Sequence, residues 1–191
     1  MLGRRSRFGY PEFVTPRLRL CLLAPNQADL MVAFRRSNRD YLKPWEPLRT
    51  EAFYTSAYWE QQLSNARGEY HDGVSLRLSV LPRDEDLVIG VCSFTNIVRG
   101  TFQSCHLGYA LGEKWQGQGI MQEALQPAID HVFNRMQLHR IMANYMPHNA
   151  KSGNLLNRLG FRIEGRAAAF LKIDGQWQDH ILTSLINPAH L

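Results

Sequence analysis

From Val74 to Met136 the sequence sets down three alternating strands, two short polar turns, a pair of glycines and one long amphipathic helix in unbroken succession. Few folds accept that order. "VSLRLSVL" (74–81) alternates, "PRDED" turns, "LVIGVCSFTNIV" (87–98) forms a second apolar run, "RGT" turns again, and "FQSCHLGYALG" (102–112) forms a third. Strands joined by so few residues pair antiparallel, as a meander. "EKWQGQG" then leads into Ile120, Ala124, Leu125, Ala128, Val132, Phe133 and Met136, spaced to make one apolar helix face. Pro127 falls inside that helix, where it costs about 3 kcal/mol unless packing compensates.

The flanking segments extend the pattern. "RLRLCLL" (17–23) reads as a strand, and "NQADLMVAFRRSN" as a helix with Asn26 as its N-cap. "YLKPWEPLRT" (41–50), with two prolines around Trp45 and Glu46, reads as a loop without regular structure, and "SAYWEQQLSNARGEY" as a second helix. After the long helix come a strand, "HRIMANYM", and a helix, "HNAKSGNLLNRLG", stopped by Gly160. "FRIEGRAAAFLKI" and "QWQDHILTSLI" close as a hairpin across Asp174 and Gly175. The resulting order is β-α-α-β-β-β-α-β-α-β-β. It is expected to form one α+β domain over 1–191, with a core of about 13–186 and a basic N-terminal extension, 1–12.

A net charge of +5, carried mostly by arginine, favours anionic ligands or partners without choosing among them. Cys21, Cys92 and Cys105 are odd in number and widely spaced, with no C-x-x-C, so neither a disulfide framework nor a metal site is expected. The basic start lacks the apolar stretch of a signal peptide and no run approaches a membrane span, so a cytoplasmic protein is expected.

The glycines of "KWQGQGIM" (114–121) make an anion site, because unpaired N–H groups and the positive end of the helix dipole point outward together. Gly112-x-x-x-x-Gly117 starts like a P-loop, but Gln118 and Gly119 stand where lysine and a hydroxyl are needed. Gly117-x-Gly119 starts like a dinucleotide fingerprint, but Gln122 holds the third glycine position and the preceding strands are a meander. Gln116, Gly117, Gln118, Gly119, Ile120 and Met121 resemble instead the pyrophosphate loop of the GNAT N-acetyltransferases, departing from it at Met121. The element order is similar to that family's over nearly the whole chain. "YLKPWEP", "IVRGTF", "LGYALGEKWQGQGIMQEAL", "HRIMANYMPHNAKSGNLLNRLGF" and "IDGQWQDH" resemble its ribosomal-protein branch.

The resemblance implies a GNAT fold: a mixed central sheet of about seven strands, with the antiparallel meander, a splayed parallel central pair and flanking helices. It implies acetyl-CoA as donor and direct attack by the N-terminal α-amine of a protein, most simply the alanine of a small-subunit ribosomal protein. Ala110, Leu111 and Gly112 are then expected to line the donor with the loop residues, Asn149 to help hold its arm, and the Leu111 N–H to contact the oxyanion. Ser152 is the candidate proton donor, since the tyrosine of many relatives is replaced here by Leu156, and Tyr145 is a reserve. Glu113 is the candidate base, with Glu46 behind it. Cys105 and His106 are strand neighbours facing opposite ways, unsuited to nucleophile and base.

Tyr41, Trp45, Glu46, Trp177 and Asp179 are candidates for the acceptor slot, with Asp179 or Glu46 holding the incoming ammonium. Arg35, Arg36 and Arg39 are candidates for steering the enzyme toward ribosomal RNA, or form a solvated helix end. Contact with ribosome or pre-ribosome is compatible with this; membrane and DNA are not expected partners. Two other readings compete: transfer to a small-molecule amine, and a non-catalytic acyl-CoA-binding or RNA-associated module.

Overall fold

The computed structural model describes residues 4–5 and 9–190, and within them the strands form one nine-stranded sheet. In chain order these are β1 (Arg4–Arg5), β2 (Pro11–Val14), β3 (Leu18–Cys21), β4 (Leu76–Pro82), β5 (Gly90–Val98), β6 (Ser104–Leu111), β7 (Arg140–Tyr145), β8 (Arg162–Ile173) and β9 (Gln176–Ile186). Their spatial order is β1-β2-β3-β4-β5-β6-β7-β9-β8. The two strands beyond the expected seven are β1, inside what reads in sequence as an extension, and β2, which crosses its end. β2 is too short for alternation to reveal, yet it pairs with β3 and sends Phe13 into the core, 5% exposed, against the ring of His131.

The helices are α1 (Ala28–Ser37), α2 (Arg39–Leu42), α3 (Ser56–His71), α4 (Ile120–Asn134) and α5 (Ala150–Arg158). Two local expectations are corrected. Asn26 is not an N-cap: it sits in a 3-10 turn, Pro25–Gln27, where the Gln27 side chain instead accepts the Ala24 N–H at 2.9 Å. The proline segment is also partly regular, since Tyr41 and Leu42 belong to α2 and Lys43–Trp45 form a 3-10 turn. Pro44 is tolerated there because a first-turn N–H needs no partner within the helix.

Each face of the sheet has its own core. On one, Ile120, Met121, Ala124, Leu125, Ala128 and Val132 of α4 and Leu155 and Leu156 of α5 pack against inward residues of β3 to β7. α4 continues through Pro127 because its apolar face is wholly committed to that core. On the other face, Met31 and Phe34 of α1, Leu42 of α2 and Leu63 of α3 pack with Leu81 and Val88.

The meander is as expected, with β4, β5 and β6 antiparallel. β6 and β7 are the parallel pair, and they share only three register positions, Ser104 to His106 beside Arg140 to Met142. Beyond His106 the strands part: β6 follows β5 to Leu111, while β7 follows β9 until Tyr145 meets Ile181. The β8–β9 turn is at Asp174 and Gly175, both with positive φ, as the right-handed twist of a two-residue hairpin requires.

Candidate active site

The glycine segment joins a 3-10 turn, Glu113–Trp115, to the start of α4. Gly117 and Gly119 both have φ of +73°, and Gly119 caps α4 without any side-chain hydrogen bond. The first N–H groups of α4 therefore point outward at the positive end of a helix fifteen residues long. A Cβ on Gly119 would meet only Arg17 Nη2, at 3.7 Å, so the sign of φ and not lack of space demands glycine. Ile120 and Met121 are buried, 4% and 5% exposed, so they can offer a ligand main chain only, and methionine at 121 leaves that unchanged. The Gln118 side chain folds back onto the Lys114 carbonyl at 2.9 Å.

Two cations flank this loop. Arg17 donates to the Gln118 carbonyl at 3.0 Å and pairs with Glu123 at 2.6 Å; Lys151 of α5 donates to Gln116 Oε1 at 3.0 Å. Burial pushes the Glu123 carboxyl up, but hydrogen bonds from Thr15 and Arg17 outweigh it and hold the group below its ordinary range. Neither cation had a local sequence signal. Arg17 arrives from the β2–β3 turn and Lys151 from the next helix. An uncapped helix start, two positive-φ glycines and these cations fit a pyrophosphate.

The main chain of β6 is divided between two neighbours. Gly112 N–H donates to the Ile89 carbonyl at 2.8 Å, which sets the phase of the antiparallel ladder. By its alternation Ala110 and Gly112 turn their main-chain groups to β5, while Tyr109 and Leu111 turn theirs into the gap beside β7. The Leu111 carbonyl accordingly meets Gln116 Nε2 at 3.5 Å. This narrows the expected lining: of Ala110, Leu111 and Gly112, only Leu111 offers its N–H to the gap. The side chain of Ala110 packs toward α1 and α3, and Gly112 is closed in by Asn38 and Ile89.

Across the gap, Asn149 caps α5 by accepting the Ser152 N–H at 3.1 Å, leaving its amide NH₂ for other contacts. Ser152 Oγ lies 2.7 Å from the Tyr109 hydroxyl. Burial pushes that phenol up to about 12, partly offset by the bond to Ser152. Tyr145 joins the group because Gly153 has no side chain: a Cβ there would lie 2.9 Å from the tyrosine ring. Tyr109 was missed in sequence. Its one signal is its place, two residues before Leu111 and hence on the same side of the strand. Leu156 is core, 1% exposed, and Cys105 is fully buried with its thiol pushed by burial to about 12, which leaves it inert.

A model of the acetyltransferase (GNAT) domain matches residues 19–162. The [ribosomal protein uS5]-alanine N-acetyltransferase of Escherichia coli K12 is 44% identical over 188 residues, covering 98% of this chain and 97% of that protein. The chain belongs to the GNAT acetyltransferase family. A crystal structure of ribosomal-protein-S5-alanine acetyltransferase from Vibrio fischeri has a TM-score of 0.89 and 39% identity, covering 93% of this chain and 97% of that one. Mycobacterium smegmatis RimJ in complex with CoA-disulfide has a TM-score of 0.84 and 29% identity, covering 91% and 83%.

In this GNAT domain the acceptor-side candidates divide into two groups. Burial first and then the nearby Glu113 carboxylate push the Tyr41 phenol up, partly offset by the neighbouring Gln116 side chain. Exposed Glu113, whose N–H donates to Asn38 Oδ1 at 3.1 Å, is thus at the mouth of the gap. Trp45 lies against His148, 5.5 Å between centroids, which puts the proline segment beside the β7–α5 connection. Two candidates, Glu46 and Asp179, are otherwise engaged, and a third, Trp177, stands exposed. Glu46 is ion-paired to Arg35 at 2.8 Å and reached by Arg49 at 3.6 Å, so it is not a free carboxylate for base or ammonium work. Asp179 accepts the Ala169 N–H at 2.9 Å and pairs with Arg166, supporting the bulge where Ala169 has positive φ. Trp177 lies opposite Lys172 on the hairpin, 65% exposed.

Arg35 is also corrected. It is 8% exposed and cannot belong to a solvated helix end, while Arg39 pairs with Glu51 and Arg36 donates to the Tyr54 carbonyl. Glu46→Ala strands a buried guanidinium, so a loss of about 3 kcal/mol in urea unfolding is expected. If Glu46 instead held the substrate, KM would rise with stability intact.

Proposed function

We propose that this protein transfers acetyl from acetyl-CoA to the N-terminal α-amine of a protein, its acceptor being the N-terminal alanine of small-subunit ribosomal protein uS5. The observation that carries this reading is the parted β6–β7 pair, with Leu111 main-chain groups on one side, the Tyr109–Ser152 hydroxyls across from them and the uncapped start of α4 at its end. The near full-length likeness to uS5-alanine acetyltransferases supports the choice of acceptor. Acetyl-CoA is the donor, and the cytoplasm, where ribosomal proteins are made, is the compartment.

In the proposed reaction the neutral amine attacks the thioester carbonyl, forming the C–N bond; the C–S bond breaks, the amine loses a proton and the thiolate gains one. The Leu111 N–H stabilises the oxyanion, and Ser152, bonded to Tyr109, delivers the proton to sulfur. Asn149, Lys151 and Arg17 hold the arm and phosphates, and Glu113 assists deprotonation through water beside Tyr41 and Trp45.

Because a free α-amine titrates near 8, kcat/KM is expected to rise about tenfold per pH unit below 8 and then level. The Tyr109 phenol, pushed up to about 12, stays protonated throughout, so no fall is expected before pH 10. Initial rates across pH 6 to 10 check this. The function itself is tested by mass spectrometry of a uS5 N-terminal peptide incubated with enzyme and acetyl-CoA, beside a peptide whose only amine is lysine. Acetyl on the terminal amine alone is expected; no product despite acetyl-CoA binding overturns the reading.

A further inference from the structure

The residues that tie up Glu46 enclose a second feature. A cavity of about 530 Å³ lies between the end of α1, α2 and the segment from Lys43 to Tyr54; its charged lining is Arg35, Arg39, Lys43 and Arg49 with Asp40 and Glu46, and Arg39 is already paired with Glu51 beside it. Arg35 and Arg49 share one carboxylate, Glu46, at 2.8 and 3.6 Å. Arg35 Nε is buried without a hydrogen-bond partner, and Lys43 forms no ion pair among the described residues. Two guanidiniums around a single half-buried carboxylate leave one positive charge uncompensated, and that favours a second carboxylate. Apolar stems are accommodated as well: Arg49 stacks on Phe53 at 4.4 Å, Arg39 on Tyr54 at 4.5 Å, and Leu42 and Leu48 complete the wall.

The cavity adjoins the acceptor side. Its wall at Glu46 to Leu48 touches the β8–β9 hairpin, where the Asp174 N–H donates to the Glu46 carbonyl at 2.9 Å, and Trp45 of the same segment meets His148. We propose that this cavity takes an acidic side chain of the acceptor polypeptide, downstream of the residue that is acetylated. A pocket with the buried Arg35–Glu46 pair at its floor and the exposed Lys43 and Arg49 at its rim suits a single glutamate or aspartate on its stem; a nucleic-acid backbone needs a longer track of cations. The inference rests on the acceptor being a polypeptide, as proposed above.

The test is a series of alanine-initiated peptides that differ only by Glu or Gln at successive positions. With wild-type enzyme, Glu at one or two positions is expected to raise kcat/KM about tenfold over Gln, through KM with kcat unchanged. In Lys43→Gln and in Arg49→Gln, whose side chains are at the cavity and not in the core, that ratio falls toward one. Ratios near one at every position in the wild type, with terminal acetylation intact, overturn the inference and spare the proposed function. A ratio that survives both variants overturns it equally. So does a single-stranded RNA that competes with peptide in the wild type but not in Lys43→Gln, with no Glu preference. Failure to acetylate any peptide removes the proposed function, and this inference falls with it.

Discussion

Gly119→Pro is expected to raise the Kd for acetyl-CoA by at least about 100-fold, equivalent to about 2.7 kcal/mol, without unfolding the protein. Gly119 has φ of +73°, and proline is confined near −65°, so the substitution must rebuild the turn whose N–H groups point outward. The helix itself tolerates proline at its start. Gly119→Ala is a milder form of the same change, costing about 1–2 kcal/mol for the left-handed conformation. It should weaken binding about tenfold, since only Arg17 lies near the added methyl. Calorimetric titration with acetyl-CoA, beside a thermal melt of each variant, checks both. An unchanged Kd for Gly119→Pro would sink the assignment of this loop to the pyrophosphate.

Ser152→Ala and Tyr109→Phe are each expected to lower kcat about 100-fold, in the range of a lost general acid, while acetyl-CoA binding stays within a few fold. Their hydroxyls lie 2.7 Å apart. If they pass one proton as a unit, the double variant is no slower than the slower single one; independent roles would multiply the losses. Single-turnover rates with saturating acetyl-CoA make the comparison. Intact turnover in Ser152→Ala would show that the sulfur receives its proton elsewhere.

The sequence disclosed several features encoded within a few residues, though not the 3-10 turns at Pro25–Gln27 and Lys43–Trp45. Asp174-Gly175 is a dipeptide that suits a tight hairpin, Gly160 has the positive φ of a helix stop, and the alternating runs around β4, β5 and β6 could only pair as neighbours. It was silent where structure is assembled across the chain. Arg17 reaches Gln118 and Glu123 from over 100 residues away, and Tyr109 meets Ser152 across 43. Glu46 looked available because nothing beside it in the sequence announces that Arg35, one helix earlier, is buried and turned onto it. Leu111 was legible as a strand residue, but which neighbour its amide serves depends on ladder phase, set by one bond from Gly112 to Ile89.

The three shared positions between β6 and β7 have a mechanical consequence. A sheet parted at its centre amounts to two panels, β1 to β6 and β7 with β9 and β8, joined by the short ladder from Ser104 to His106 and by the helices laid across it. Each panel carries an inner rim of main-chain groups, the kind of rim that invites another strand. Whatever extended chain lies between them completes the sheet and ties the panels together. Substrate occupancy and rigidity of the two panels should therefore rise and fall as one quantity.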